Sequence, residues 1–413
     1  MKNVIGLILI MILLGVVGCG NQTIIGEDYS KVEEELEVEL VIWHTYSEHE
    51  SYVFENEIIP LFEEEYPTIK ITSVRQPYDS QLRNAMISRI SSDMPPDILR
   101  LDIAWLSSFA KLDLLYPVSD FEDFEQIKSI FYEEPLQSNF YQGKYYGLPL
   151  NSNTKVSIFN KELLEHAGVE KPPETMDELI LFVKENDYVI ALDHFSIWDT
   201  LHYFNNLGGE FTSPDYTRTT GYLNNDASVE AISKLVDLYQ GGYLHFANDK
   251  WNGILEDKYV MIDEGPWFYS VNTEEQIELI NQLTVAVPFM EYRDRNGIIG
   301  GENLVISKGT DYKEEAWLFL KWMTTETPQR YMAEAGLIPS NKSVELSGFY
   351  EEYPYYQVYL NNLDQGVLRP PLPQWWDIEE LYSHYMNRIF SGEMPIEEGL
   401  TEAAYEIDQV IIE

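Results

Sequence analysis

A single cysteine, Cys19, excludes an intrachain disulfide, a thiol nucleophile in the body of the chain and any cysteine-rich metal site. Basic residues are scarce: 27 Lys and Arg stand against 70 Asp and Glu, for a formal charge of −43. A nucleic-acid-binding face needs a basic stripe, so that class is set aside and the acidity reads as a solvated surface. No Gly-x-Ser-x-Gly elbow, His-Glu-x-x-His pair or Walker loop occurs. Seven histidines are scattered; His44 and His49, near Glu48 and Glu50, are expected at an exposed surface rather than on a metal. No metal and no cofactor is expected. Gly297, Gly300 and Gly301 lack the spacing of a phosphate loop and suit a segment needing conformational freedom. There is no fixed-period repeat, and no apolar run beyond the N-terminus is long enough to cross a membrane.

What is present begins at the N-terminus. Lys2 supplies a positive charge, and Val4 to Val17 is apolar except for Gly6 and Gly15. A membrane-spanning helix needs about 20 apolar residues, so this shorter run suits a secretory signal over residues 1–18. It ends in Val16-Val17-Gly18-Cys19, which resembles a bacterial lipobox. The resemblance implies cleavage before Cys19, lipidation of its sulfur and an anchor on the extracellular side of the cell membrane. The alternative is an ordinary signal peptide with an incidental cysteine. Residues 19–37, polar and acidic, read as a tether.

From residue 38 the pattern changes. Val38 to Trp43 is a β-branched strand, and His49 to Glu65 carries apolar residues near helical spacing at Val53, Ile58, Leu61 and Phe62. Ile69 to Thr72 alternates as a strand, Leu82, Met86 and Ile90 mark a helix, and Pro96 to Leu101 is a further strand. This alternation predicts a mostly parallel α/β sheet. The same order returns later: extended chain from Tyr145 to Asn160, helices over Asp177–Glu185 and Ser228–Tyr239, and strands at Tyr188–Leu192, Lys258–Ile262 and Leu283–Val287. Glu314–Thr324 is helical, and the tail from Ile378 to Ile412 reads as helices broken at Gly392 and Pro395. Two α/β units follow.

Eight segments resemble the maltose-type carbohydrate-binding components of bacterial importers, in that family's order. They are Leu40-Val41-Ile42-Trp43-His44-Thr45-Tyr46, Pro96-Asp97-Ile98 through Asp102-Ile103-Ala104-Trp105, Gly143-Lys144-Tyr145-Tyr146-Gly147-Leu148-Pro149 and Ser157-Ile158-Phe159-Asn160-Lys161. Asp263-Glu264-Gly265-Pro266-Trp267, Gly300-Gly301-Glu302-Asn303-Leu304, Gly336-Leu337-Ile338-Pro339-Ser340-Asn341 and Pro373-Gln374-Trp375 complete the set. The resemblance spans nearly all of residues 38–413. It implies a periplasmic-binding-protein-like fold, two α/β lobes with a ligand cleft and a multi-strand hinge. Lobe 1 is expected over 38–150 plus 303–345 and lobe 2 over 155–299 plus 355–413, with hinge crossings at 150–155, 299–303 and 346–355. The implied function is an extracellular substrate-binding lipoprotein of an ABC importer, expected to be a monomer. It would capture a sugar or short oligosaccharide and deliver it to permease subunits, with no enzyme activity of its own.

Carried over motif by motif, the resemblance implies a cleft lined by Trp43, Thr45, Tyr46, Glu48, Asp102, Trp105, Asn153, Trp198, Trp267, Glu302, Trp375 and Trp376. Trp198 is expected in a loop of the second lobe, and Trp43, which ends a buried strand, is read equally as core. Ser47, Asn153 and Ser196 stand where maltose binders often carry charge. These residue types suit a pyranose: rings cover its C–H faces at about 25 cal/mol per Å² removed from water, and carboxylates and amides pair with its hydroxyls. Trp317 and Trp322, at helical spacing, belong to the core or a surface ridge. Two other readings stay open. A polyamine would suit Glu48, Asp102 and Glu302, and a secreted glycoside hydrolase would use two of those carboxylates. A phosphoester would need cationic groups, and the candidate lining has none.

Overall fold

The computed structural model describes residues 37–412 except 79–80, 93, 294–295, 347, 350–352 and 364–365. The signal segment, Cys19 and the tether to residue 36 lie outside the described residues, as does part of the expected crossing at 346–355.

Local sequence explains the first βαβ unit. Strand β1 (Val38–His44) alternates buried Leu40 and Ile42 with partly exposed neighbours, as a strand packed on one face does. Ser47 then caps a helix, with Glu50 completing a capping box. The helical run continues from Glu48 to Glu65, but its middle, Phe54–Ile58, is π-helical. Pro60 follows this wider turn, which lets a residue without an N–H sit in the run. Strand β2 (Ile69–Arg75) pairs parallel to β1, and β3 (Ile98–Asp102) pairs with β1 on the other side.

The chain goes on through a hairpin of β4 (Phe140–Tyr141) and β5 (Lys144–Tyr145) to β6 (Gly147–Thr154) and β7 (Val156–Asn160). There follow β8 (Ile190–Leu192), β9 (Leu244–Phe246), β10 (Met261–Glu264), β11 (Thr284–Val287), β12 (Ile298–Ile306), β13 (Ile338–Pro339) and β14 (Val367–Leu368). One sheet runs β13-β6-β12-β3-β1-β2, with β14 beside the start of β12; a second runs β11-β7-β10-β8-β9. These are the sheets of two α/β lobes. The extended chain expected over 145–160 is thus two strands in different sheets, and Lys155 is the residue between them. The return passes from β11 to β12.

Apolar packing follows the sheets. Leu40, Ile42, Phe54, Phe62, Phe319 and Trp317 fill one face of the first sheet. On its other face Met86, Leu99 and Phe109 belong to an apolar body continuous with Leu179, Phe204 and Tyr382 of the second lobe. Trp317 and Trp322 are buried as expected, and their indole N–H groups reach Asp123 and Glu65 at 2.7 and 2.8 Å.

Candidate functional site

Strands β1 to β3 all end at one edge of their sheet, where ligands of open α/β sheets gather. There a cavity of about 600 Å³ opens between the lobes. The turn after β1 contributes Thr45, Tyr46 and Glu50, the end of β2 Arg75 and Tyr78, and β3 Arg100 and Asp102. The crossing strands β6 and β12 supply Asn153, Gly300 and Glu302, and the second lobe Trp198, Trp267, Arg369 and Glu379.

Four of the lining charges form two ion pairs. Arg100, 4% exposed, donates to Thr45 Oγ1 at 2.7 Å, bridges Glu302 at 2.8 Å and lies 4.5 Å over the Tyr46 ring. Asn151 Nδ2 also donates to Glu302, at 2.6 Å. Burial pushes the Glu302 carboxyl above its ordinary value; Arg100 opposes this and Asp102 adds to it. Asp102 accepts from the Ala104 N–H at 2.8 Å, from Arg369 at 3.2 Å and from the Tyr78 hydroxyl at 3.2 Å. Four lining carboxylates (Glu50, Asp102, Glu302, Glu379) therefore face three guanidiniums (Arg75, Arg100, Arg369).

Two indoles form the opposite wall. Trp198 and Trp267 have ring centroids 6.3 Å apart, with planes inclined by 35°. Trp198 stands in the first turn of the helix Ile197–Asn206, capped by Ser196, rather than in a loop. That helix is buried on nearly every side, its polar Asp199, Thr200, His202, Asn205 and Asn206 included, so no exposed polar face sets it off. Gly300 owes its identity to this ring: a Cβ there would stand 2.7 Å from the Trp198 indole. Gly301, at φ +136°, needs glycine for its backbone.

Thr45, Tyr46, Asp102, Asn153, Trp198, Trp267 and Glu302 line the cavity together. The other candidates do not line it. Trp43 is half-buried against the core at the end of β1, and Glu48 is exposed on the outer side of the helix whose Glu50 faces inward. Trp105 lies beneath Tyr78, stacked at 5.9 Å and 9°, and Trp376 meets it edge-on at 6.4 Å. Trp375, 1% exposed, packs into the second lobe's core against Phe211. The expectation of a lining without cations is corrected by Arg75, Arg100 and Arg369. Arg100 carried a signal, a lone charge within an apolar strand; Arg369, in a proline-flanked segment, carried none. His44 is also corrected: it is fully buried, with Nε2 2.7 Å from Ser73 Oγ. Burial, reinforced by Arg100 and Arg75, lowers its pKa to about 3, so the ring is neutral.

Behind Trp198 runs a buried ionic network. Lys155 Nζ lies 5.5 Å over the Trp198 ring and bonds Asp199 at 2.6 Å and Asp263 at 2.9 Å. His202 reaches Asp263 at 3.1 Å, and Lys250 bridges Asp193 at 2.8 Å and Glu264 at 3.0 Å. Burial alone would raise the Asp263 carboxyl, but Lys155 and Lys250 hold it well below its ordinary value.

A family model described as bacterial extracellular solute-binding protein matches residues 57–357. The maltotriose-binding protein of Pyrococcus abyssi (strain GE5 / Orsay) is 27% identical over 322 residues, which cover 73% of this chain and 66% of that protein. The GacH receptor of Streptomyces glaucescens GLA.O, solved unliganded and with acarbose, superposes with a TM-score of 0.77 at 21% identity, over 92% of this chain and 99% of that one. UgpB from Mycobacterium tuberculosis, solved with glycerophosphocholine, gives 0.77 at 18% identity, over 90% and 98%. At these identities the structural likeness establishes the fold.

Proposed function

Because the chain belongs to the bacterial extracellular solute-binding proteins, we propose that it is the receptor of an ABC importer, closing its lobes on a neutral sugar or short oligosaccharide and passing it to the permease. Its family and its neighbours are binding proteins rather than enzymes. The observation that carries the reading is the composition of the cavity: indole and phenol faces stand beside two ion pairs, Arg100 with Glu302 and Arg369 with Asp102. A polyamine in the cleft would compete with Arg100 and Arg369 for Glu302 and Asp102, and a phosphoester would face four carboxylates. A polyol brings no charge, and its hydroxyls can use the donors and lone pairs that the paired groups have left over. The maltotriose-binding relative supports the same substrate class.

The family carries an extracellular or periplasmic location. We extend it to anchoring through a lipidated Cys19, which a Cys19→Ser variant still held in the membrane fraction would refute. The lobes are assigned as 38–150 with 303–345 and 155–299 with 355–413.

Calorimetric titration of the full chain with neutral malto-, arabino- and galacto-oligosaccharides and a uronate tests the ligand class. One neutral oligosaccharide is expected to bind at about micromolar strength, which is about −8 kcal/mol. Trp267→Ala should weaken it about tenfold or more, for a loss of at least about 1.4 kcal/mol. Binding of the charged sugar alone, or release of cleaved product, would overturn the reading.

A further inference from the structure

We infer that Lys155 is the positioning residue of the indole wall: from behind Trp198 and Trp267 it sets both rings, and with them the affinity of the cleft for a sugar. The inference rests on the sugar reading of that cleft. Lys155 stands between β6 and β7, where the chain passes from one sheet to the other. Its backbone is pinned, since Asn362 Nδ2 donates to its carbonyl at 3.0 Å and to Thr154 Oγ1 at 2.8 Å. The residue is fully buried. Its ammonium pairs with Asp199 and Asp263, and none of the three lines the cavity.

Each carboxylate leads to one ring. Asp199 follows Trp198 in the first turn of its helix, and the same ammonium lies 5.5 Å over the Trp198 indole. Asp263 sits near the end of β10, and Gly265-Pro266 carries that strand into the short helix opened by Trp267. Trp267 folds back on this turn: a Cβ on Gly265 would stand 2.3 Å from its ring. One cation thus ties the crossing strand to the two segments that present the indoles, 6.3 Å apart. Energetics point the same way. Apolar residues of similar volume often replace a buried ion pair at no cost in stability, so stability alone does not account for an ammonium here. Stacking on a sugar, by contrast, needs the rings held to within about 0.5 Å, which falls to the residues behind them.

Two measurements on the full chain test the assignment. Tilted indoles this close give an exciton couplet in circular dichroism, identified as the part of the spectrum that Trp267→Ala removes. Lys155→Met should abolish it without any ligand. So should Lys155→Met combined with Asp199→Asn, which deletes both members of one pair and so guards against simple misfolding. Titrated calorimetrically with maltotriose, both variants should bind about tenfold more weakly or worse. Because Lys155 acts through the rings, its effect should shrink in a Trp267→Ala background, as coupled sites do. Leu320→Ala, a buried change in the core of the first sheet, should lower stability but leave the couplet and the affinity unchanged. A couplet that persists in both Lys155 variants, affinity losses that multiply with that of Trp267→Ala, or the same losses in Leu320→Ala would each overturn the inference. The couplet needs no sugar, so it decides the role of Lys155 even where the parent binds no maltotriose, an outcome that bears on the sugar reading alone.

Discussion

The cleft and the interior behind Trp198 are both built from acid–base pairs, yet they use different cations to different ends. In the cleft the cations are arginines: Arg100 bridges Glu302 at 2.8 Å and Arg369 bridges Asp102 at 3.2 Å. In the interior they are lysines: Lys155 is held by Asp199 and Asp263, and Lys250 by Asp193 and Glu264. A guanidinium is a planar fork with five N–H donors, so one carboxylate leaves donors unspent. An ammonium is a compact point charge, and Lys155 spends it on two carboxylates within 2.9 Å at 0% exposure. The same pairing thus yields a receptive surface in one place and a closed, largely buried joint in the other.

The comparison is broken most forcefully at Asp263. Asp263→Ala strips a fully buried partner from both Lys155 and His202. Removing one member of a buried pair leaves an uncompensated charge and costs about 3–5 kcal/mol. Denaturant unfolding should show that loss, whereas Asp102→Asn, at the open cleft, should cost much less. Equal losses would mean that the two clusters play the same structural role.

The difference between the regions also decides how much could be read from the chain. Strands β1, β2 and β3 and the helix at 82–90 were legible because period and β-branching are local. Local pattern alone did not show where 145–160 divides, since sheet membership depends on pairing with β10, β11 and β12, far along the sequence; only the resemblance offered a crossing at 150–155. Of the cavity lining, Trp267 and Asp102 were legible through motifs at strand ends and Glu302 through one within a crossing strand, whereas Trp198 came from the resemblance alone and was expected in a loop. Trp375 misled because its Pro-Gln-Trp turn opens a helix that carries the ring inward. The partners of Lys155 were beyond reach: with 70 acidic residues, no spacing distinguishes Asp199 and Asp263 from the rest.

A smaller effect sharpens the contrast between arginine and lysine. Arg369 lies 5.2 Å over the Trp198 ring while bonded to Asp102. Arg369→Lys keeps the charge but loses the planar fork and the stack. Ligand affinity should fall about tenfold, or about 1.4 kcal/mol, with the unfolding midpoint nearly unchanged. Unchanged affinity would show that only the charge matters there.

The smallest effect is one of sign. Glu302 is held above its unfolded pKa of 4.5, first by burial. Folded protein therefore binds more protons than unfolded chain from pH 4.5 upward until Glu302 ionises, and its contribution falls as pH rises, by at most about 1.4 kcal/mol per pH unit. Asp263 is held below 3.8 by Lys155 and Lys250 against the effect of burial. Its contribution is complete above pH 3.8 and is lost as pH falls below that value. Glu302→Gln removes the first titration and leaves the second. The stability of Glu302→Gln relative to the parent should therefore climb between pH 4.5 and neutrality, whatever constant offset the unpaired Arg100 imposes. A difference that stays flat would mean that Glu302 is as well compensated by Arg100 as Asp263 is by its lysines, and the cleft would then be as closed, electrostatically, as the interior.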